Sequence, residues 1–93
     1  MFFVYVLRST VDQRLYTGYT RDMQKRLNDH NSGRVSSTKA RKPLELIFKE
    51  ACETKQEAQK RERFLKSGAG HEYIRKKLLR SLKSEDSRGG AAR

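Results

Sequence analysis

The feature that most constrains the fold is an apolar run of six residues near the start of the chain, Phe2 to Leu7. All six side chains are bulky and apolar or aromatic, and no polar residue alternates with them. This run therefore predicts a strand that is buried on both faces. Tyr5 lies inside the run, so its side chain is expected in the interior. The rest of the chain is expected to complete or cover this strand.

A second β-prone stretch, Leu15 to Thr20, follows a short polar link over residues 9–14. A link of this length is typical of a hairpin, so the two stretches are predicted to pair antiparallel. Gly18 interrupts the second stretch. A glycine inside a strand pattern indicates a bulge, or a place where another backbone or a ligand comes close. Tyr16 lies two residues before it.

The next element is predicted to be a helix that starts from a Thr20 cap, runs to about Asn31 and stops before Gly33. On this helix Arg26 and His30 are four residues apart. Residues at that spacing project from the same face of a helix. The two side chains can therefore be aimed at one point.

The stretch over residues 32–43 predicts a loop, because it combines glycine, proline, serine and threonine with basic residues and no acid. Its basic side chains are expected to bind a phosphate backbone. They are Arg34, Lys39, Arg41 and Lys42. For any one of them taken singly, a solvated position on the surface is the alternative.

Beyond the loop, the pattern predicts one more strand and two more helices. The expected elements are a less buried strand over 44–51, a helix from a Thr54 cap to about Ser67 with Gly68 as its stop, and a last helix over about 71–82. The residues that follow are too polar and too small to pack. One domain is therefore predicted over 1–83, with a disordered tail over 84–93.

The charge balance favours a polyanionic partner. The 22 Lys and Arg against 11 Asp and Glu give a net charge of +11, and nucleic acid is the first candidate for such a basic domain. No stretch approaches the roughly 20 apolar residues of a membrane span, and the start lacks the features of a signal peptide. A cytoplasmic location without a membrane partner is expected. The single cysteine, Cys52, has no zinc-like spacing and is expected to be a packing residue.

The order of these residues resembles the GIY-YIG nuclease superfamily, in its small single-domain bacterial branch. Residues 3–5 (Phe-Val-Tyr) take the place of the first triplet and residues 16–18 (Tyr-Thr-Gly) that of the second. A helical arginine, a helical histidine and a later helical glutamate follow: Arg26, His30 and Glu62. The resemblance covers residues 2 to about 80. It implies an α+β fold with a three-stranded antiparallel sheet flanked by helices, in the order β-β-α-β-α-α, which is the order that the patterns predict independently.

The same resemblance implies a metal-dependent DNA endonuclease, a phosphodiester hydrolase that uses one divalent ion, Mg²⁺ or Mn²⁺. It assigns Tyr5 and Tyr16 as active-site tyrosines, Arg26 as the phosphate-stabilising cation, His30 as the helix residue beside them, and Glu62 as the metal ligand. The fixed fork of donors on an arginine matches the geometry of a phosphate. Which tyrosine is the general base stays open.

The expected partner is DNA, or RNA, and the expected state is a monomer. Low sequence specificity follows from the small size of the domain, which leaves no separate module for reading sequence. Branched, nicked or damaged DNA, and hence DNA repair, is the expected context. Two alternatives stay open: a noncatalytic nucleic-acid-binding module that keeps the fold and the basic surface, and an adaptor that docks its last helix on an acidic protein. Each site residue alone has an ordinary structural explanation, but their joint order favours the nuclease.

Overall fold

The structure is a computed structural model that describes residues 1–79 of the 93. Its elements are β1 (Phe2–Ser9), β2 (Leu15–Thr20), α1 (Met23–Asn31), a 3-10 turn (Lys39–Arg41), β3 (Leu44–Cys52), α2 (Lys55–Lys66) and α3, which covers 68–79. The predicted α+β class and element order are confirmed. The predicted end of the last helix and the tail over 84–93 lie outside the described residues. Within residues 1–79, no helix combines the length and the apolar character that crossing a membrane requires.

The three strands form one antiparallel sheet in the order β2-β1-β3, which places β1 in the middle. Side chains alternate across a strand, so Val4 and Val6 face one side of the sheet while Tyr5 and Leu7 face the other. All four side chains are fully buried. The prediction of a strand buried on both faces is therefore confirmed. Strand β3 lies at an edge and has mixed burial, as its pattern indicated.

Two apolar clusters cover the two faces of the sheet. On one face the β1 valines pack with Cys52 and with the helix residues Ala58, Leu65 and Ile74. On the other face the cluster consists of Tyr5, Leu7 and Leu44, with Tyr16, Met23 and Leu27 packed against it. The sheet therefore lies between α1 on one side and α2 with α3 on the other. Burying each large aliphatic side chain contributes about 1.5–3 kcal/mol.

Helix α1 begins at an aspartate rather than at the predicted threonine. The Asp22 carboxylate accepts a hydrogen bond from the Lys25 backbone N–H at 3.0 Å. Thr20 instead accepts from the Asp22 N–H at 3.1 Å, so the predicted cap lies two residues too early. A carboxylate at this position also interacts favourably with the helix dipole. The predicted end is confirmed, because Gly33 adopts a φ of 82° and its N–H donates to the His30 carbonyl at 3.3 Å.

The loop over 32–43 is attached to the rest of the fold at both of its ends. The Asn31 side-chain amide donates to the Leu44 carbonyl at 3.1 Å and accepts from the Leu44 N–H at 2.7 Å. The Ser9 hydroxyl, at the end of β1, donates to the Arg41 carbonyl at 2.7 Å. These bonds hold the loop beside α1 and the sheet.

The junction between α2 and α3 differs from the prediction. The start of α2 is as expected, since the Thr54 hydroxyl accepts from the Glu57 N–H at 3.1 Å. Gly68 does not end this helix. Ser67 separates the two helices, and its hydroxyl accepts from the Gly70 N–H at 3.1 Å. It therefore caps α3, which begins three residues before its predicted start.

Candidate active site

Tyr5 lies in the middle of β1, and its ring extends over a glycine of the neighbouring strand. Tyr5 pairs with Gly18 across the β1–β2 hairpin. A Cβ built on Gly18 would lie 2.6 Å from the Tyr5 Oη and 2.8 Å from its Cζ, closer than side-chain atoms can approach. The close approach that the glycine indicated is therefore made by the tyrosine ring. A side chain at position 18 would displace the Tyr5 hydroxyl.

Two residues of α1 meet at the Tyr5 hydroxyl. The Arg26 Nε donates a hydrogen bond to the Oη at 3.2 Å. The His30 Nε2 lies 3.1 Å from the same oxygen. The spacing of four residues on a helix aims both side chains at one atom, as the sequence indicated. The fold thus brings together three of the predicted site residues.

The His30 ring is fully buried and also has a partner on its far side. Its Nδ1 lies 2.8 Å from the Oγ1 of Thr38, which is buried too and belongs to the loop over 32–43. Sequence reasoning did not identify Thr38, because nothing in a loop rich in serine and threonine distinguishes the residue that faces a helix. The only available signal was the position of the loop directly after α1.

Tyr16, the second predicted tyrosine, packs against the same group of rings. Its ring centroid lies 4.8 Å from that of His30, with the planes tilted by 63°, and 6.3 Å from that of Tyr5. Tyr16 is half-buried whereas Tyr5 is fully buried. Tyr16 therefore lies on the solvent side of this aromatic group.

The surroundings set the protonation states of the buried groups. Burial raises the pKa of Tyr5, and the hydrogen bond and charge of Arg26 offset only part of that rise. Burial, together with the positive charge of Arg26, lowers the pKa of His30. The hydrogen bond to Tyr5 raises the pKa of Arg26. At neutral pH the group therefore consists of a phenol, a neutral imidazole and a guanidinium.

Glu62 lies on α2, which packs on the face of the sheet opposite to α1. It stands four residues after Ala58 and three before Leu65, both of which are buried against the sheet, so it shares their face of the helix. Its carboxylate lies 3.5 Å from the Lys66 Nζ. It also lines an open cleft of about 270 Å³ with Gln59 and Arg63. Within residues 1–79, no hydrogen bond links it to the tyrosine group, but its charge is close enough to contribute to the raised pKa of Tyr5.

The donor set allows one kind of metal site. Residues 1–79 contain no group of three or more His, Cys, Asp or Glu side chains arranged to hold an ion. A single carboxylate beside an open cleft suits a hard ion such as Mg²⁺, which keeps several of its waters and takes one or two carboxylates. Glu62 fits that description.

The predicted basic loop residues fall into two classes. Arg34 pairs with Asp29 at 3.2 Å, and Arg41 pairs with Asp12 at 3.6 Å. The lysines have no ion pair within the described part of the chain. They lie over Gly33, where a built Cβ would be 3.3 Å from the Lys42 Nζ and 3.7 Å from the Lys39 Cγ. Their side chains are exposed, so Lys39 and Lys42 are the more available phosphate contacts.

Comparison with known proteins identifies the family of this site. The family model described as the GIY-YIG catalytic domain matches residues 1–76. UPF0213 proteins from Staphylococcus aureus strains Mu3 and Mu50 are 43% identical over 82 residues, which cover 87% of this chain and 93% of each relative. The solution NMR structure of the UPF0213 protein BH0048 from Bacillus halodurans is 36% identical, covers 89% of this chain and 86% of that chain, and gives a TM-score of 0.47. The chain therefore belongs to the GIY-YIG family, and its domain is of the nuclease type.

Proposed function

We propose that this protein is a divalent-metal-dependent endonuclease that hydrolyses phosphodiester bonds in DNA. We expect low sequence specificity and branched, nicked or damaged forms as substrates. The observation that carries the proposal is the position of the buried Tyr5 hydroxyl, 3.2 Å from the Arg26 Nε and 3.1 Å from the His30 Nε2. A phenol between a fixed cation and a neutral imidazole has both an acceptor for its proton and a charge that stabilises the phenolate.

In the proposed reaction the Tyr5 hydroxyl passes its proton to the His30 Nε2, and the phenolate takes a proton from the attacking water. The water oxygen bonds to phosphorus as the bond to the leaving oxygen breaks, and solvent protonates that oxygen. The His30 imidazolium then releases its extra proton, which restores the starting protonation states. Arg26 is half-buried, and its remaining N–H groups would donate to the phosphoryl oxygens. Glu62 would hold a divalent ion, which supplies charge stabilisation to the phosphoryl group when bound.

The test compares two glutamates that each take part in an ion pair within a helix. Glu62 pairs with Lys66, and Glu72 pairs with Arg75. Glu62→Gln should lower the rate of Mg²⁺- or Mn²⁺-dependent nicking of supercoiled DNA by at least about 10², the scale for losing one electrostatic contributor. Glu72→Gln should change the rate little, because Glu72 lies on α3 and the substitution removes only an exposed ion pair.

DNA binding should survive Glu62→Gln, because the substitution removes a negative charge from a surface that approaches phosphates. Affinity is measured on the same preparation without divalent ions. Nicking at the wild-type rate by Glu62→Gln would remove Glu62 from the active site.

A noncatalytic nucleic-acid-binding module is the second candidate. Two observations favour it: the Tyr5 hydroxyl already has internal partners and no exposure, and the Glu62 carboxylate already has Lys66 as a partner. Such a module would bind DNA with strong salt dependence and would cut nothing. Failure of the wild-type protein to cut supercoiled, branched and nicked DNA with either metal would favour this candidate.

DNA is proposed ahead of RNA as the partner, but the basic loop would bind the phosphates of both. Competition between DNA and RNA of equal length for the protein distinguishes them. The monomeric state and the cytoplasmic location stay predictions.

A further inference from the structure

The hydrogen bonds around Thr38 have a defined direction. The Thr38 Oγ1 lies 3.4 Å from the Val35 carbonyl oxygen, which can only accept, so this carbonyl is an acceptor for the hydroxyl proton. The lone pairs of the Oγ1 then remain for the His30 Nδ1, 2.8 Å away. A nitrogen that faces lone pairs at this distance carries a proton. In this arrangement the proton of a neutral His30 imidazole is on Nδ1.

The other ring nitrogen fits the same direction. With Nδ1 protonated, the His30 Nε2 has a free lone pair and accepts from the Tyr5 hydroxyl at 3.1 Å. The Tyr5 oxygen then accepts from the Arg26 Nε at 3.2 Å. Each donor in this series of hydrogen bonds has one acceptor, and every buried side-chain polar atom in the described residues has a partner.

The opposite tautomer gives a poorer arrangement. A proton on the His30 Nε2 would point at the Tyr5 oxygen, which already faces the Arg26 N–H. The Thr38 hydroxyl would then have to turn from Val35 to the His30 Nδ1. The phenol proton of the buried Tyr5 would then lose its acceptor within the folded protein, and a buried donor without a partner is costly.

We propose that Thr38 is a positioning residue that keeps the proton of His30 on Nδ1, so that Nε2 is free to accept the proton of Tyr5. When that transfer occurs, the O–H bond of Tyr5 breaks, an N–H bond forms on Nε2, and the ring becomes an imidazolium that still donates from Nδ1 to Thr38. The catalytic consequence rests on the proposed nuclease function. The tautomer does not, because it is a property of the folded protein alone.

The same loop carries the proposed phosphate contacts. Lys39 follows Thr38 directly, and the Arg41 N–H donates to the Thr38 carbonyl at 2.9 Å. The Thr38 N–H donates to the Val35 carbonyl at 3.1 Å. The backbone turn that presents the basic side chains therefore also fixes the hydroxyl that faces His30.

The test uses heteronuclear NMR of the two histidine rings in isotope-labelled protein, because a protonated and an unprotonated ring nitrogen resonate far apart. The exposed His71 serves as an internal reference, and His71→Asn assigns the signals. At neutral pH the wild-type protein should show His30 with Nδ1 protonated. Thr38→Ser keeps the hydroxyl and should show the same tautomer, whereas Thr38→Val should show a mixture or the opposite tautomer.

Nicking of DNA is the second measurement. Thr38→Val should lower kcat by at least about tenfold, because the proton acceptor is then correctly placed in only part of the molecules, while KM stays the same. Thr38→Ser should restore most of kcat. If Thr38 had a purely structural role, Thr38→Val would lower the amount of folded protein. The tautomer of His30 in the fraction that folds would stay the same.

The outcomes separate the two proposals. Wild-type protein with His30 protonated on Nε2, or folded Thr38→Val with the wild-type tautomer, would overturn the role of Thr38. If Thr38→Val does not fold, the wild-type and Thr38→Ser spectra still decide the tautomer. The Thr38→Ala variant is then used in place of Thr38→Val. Absence of nicking by the wild type would overturn the nuclease function and leave the NMR result to decide the role of Thr38.

Discussion

At the scale of single residues, the Tyr5 hydroxyl can take its position because Gly18, the residue opposite, has no side chain. The Tyr5 ring lies over Gly18, where a Cβ would be 2.6 Å from the Oη. With the ring held there, the Oη meets Arg26 and His30. Gly18 is therefore required by packing against the tyrosine, and it needs no special backbone conformation, since its φ is not positive.

Substituting Gly18 tests this packing. Gly18→Ala should destabilise the fold by about 1–3 kcal/mol through overpacking, and should lower nicking because the Tyr5 hydroxyl moves away from its partners. Urea unfolding measures the first effect. In a Tyr5→Phe background the same change should cost less, with a coupling of about 0.5–3 kcal/mol, since one close contact is gone. Equal costs in both backgrounds would contradict a direct contact.

Burial of neutral His30 predicts how stability depends on pH. The pKa of His30 in the folded protein is lower than its ordinary value of 6.5. Below about pH 6.5 the unfolded chain binds a proton that the folded chain does not, so the free energy of unfolding should fall from pH 7 to pH 5. Among the groups that face His30, Arg26 lowers its pKa further and Asp29 opposes this, while Tyr5, whose pKa is raised by burial, stays neutral in this range.

Urea unfolding at three pH values in this range measures the effect. His30→Gln should be less stable overall and nearly flat over the same range, because its amide does not titrate. A flat profile for the wild type would show that His30 is not held neutral. The Asp29 carboxyl does not interfere, because its pKa is lowered by Arg34 and Lys25 and it titrates only at more acidic pH.

The burial of Tyr5 was predictable from its strand pattern, and the meeting of Arg26 and His30 at one atom from their helical spacing. Their choice as candidate site residues came from the family resemblance. Thr38 was not predictable, because its contact with His30 depends on the path of an irregular loop. The partners of Arg34 and Arg41 were also missed. Arg34 pairs with Asp29 of α1 and Arg41 pairs with Asp12 of the β1–β2 link, and single-sequence patterns do not encode such pairs.

At the scale of elements, the junction of α2 and α3 contains two glycines that differ in how closely they are packed. A Cβ on Gly70 would overlap the Phe64 carbonyl oxygen and the backbone of Leu65, whereas one on Gly68 would meet nothing within 4 Å. Gly70 therefore allows α3 to approach the end of α2. The prediction of Gly68 as a helix stop was wrong because Ser67 both ends α2 and caps α3.

These glycines form a matched pair for mutation. Gly70→Ala should destabilise the protein by about 1–3 kcal/mol, because backbone atoms cannot move aside as a flexible side chain can. Gly68→Ala should leave stability unchanged or raise it by no more than about 1 kcal/mol, since alanine favours a helix. Thermal unfolding of both variants measures the difference, and similar effects at the two positions would contradict the packing of α3 on α2.

At the scale of the whole molecule, the net charge of +11 is large for 93 residues. Residues 32–43 contribute basic side chains without an acid, and they lie at the end of β1 where Ser9 pairs with Leu44. At the opposite end of β1, Phe2 pairs with Cys52, the last residue of β3. The chain continues from there to Lys55 at the start of α2. The fold thus places two single lysines, Lys42 and Lys55, in two separate regions.

Substituting two lysines near opposite ends of β1 tests whether DNA binding depends on contacts of the loop over 32–43 or on the overall charge. Lys42→Gln and Lys55→Gln change the net charge equally. If the loop binds phosphates, Lys42→Gln should reduce the slope of log affinity against log salt by about 0.9, and Lys55→Gln should change it little. Titration of duplex DNA without divalent ions measures both. Equal effects would assign DNA binding to the overall charge.

The hydrogen bonds at Tyr5 join residues that are far apart in the sequence, and this separation determines when the group can form during synthesis. Its partners Arg26 and His30 lie 21 and 25 residues further along the chain, and Glu62 comes only after β3 is complete. No short fragment of the chain contains the whole group. A nascent chain that ends before Glu62 therefore lacks the proposed metal ligand. The proposed activity therefore requires that β1, α1 and α2 have all been synthesised and have packed together.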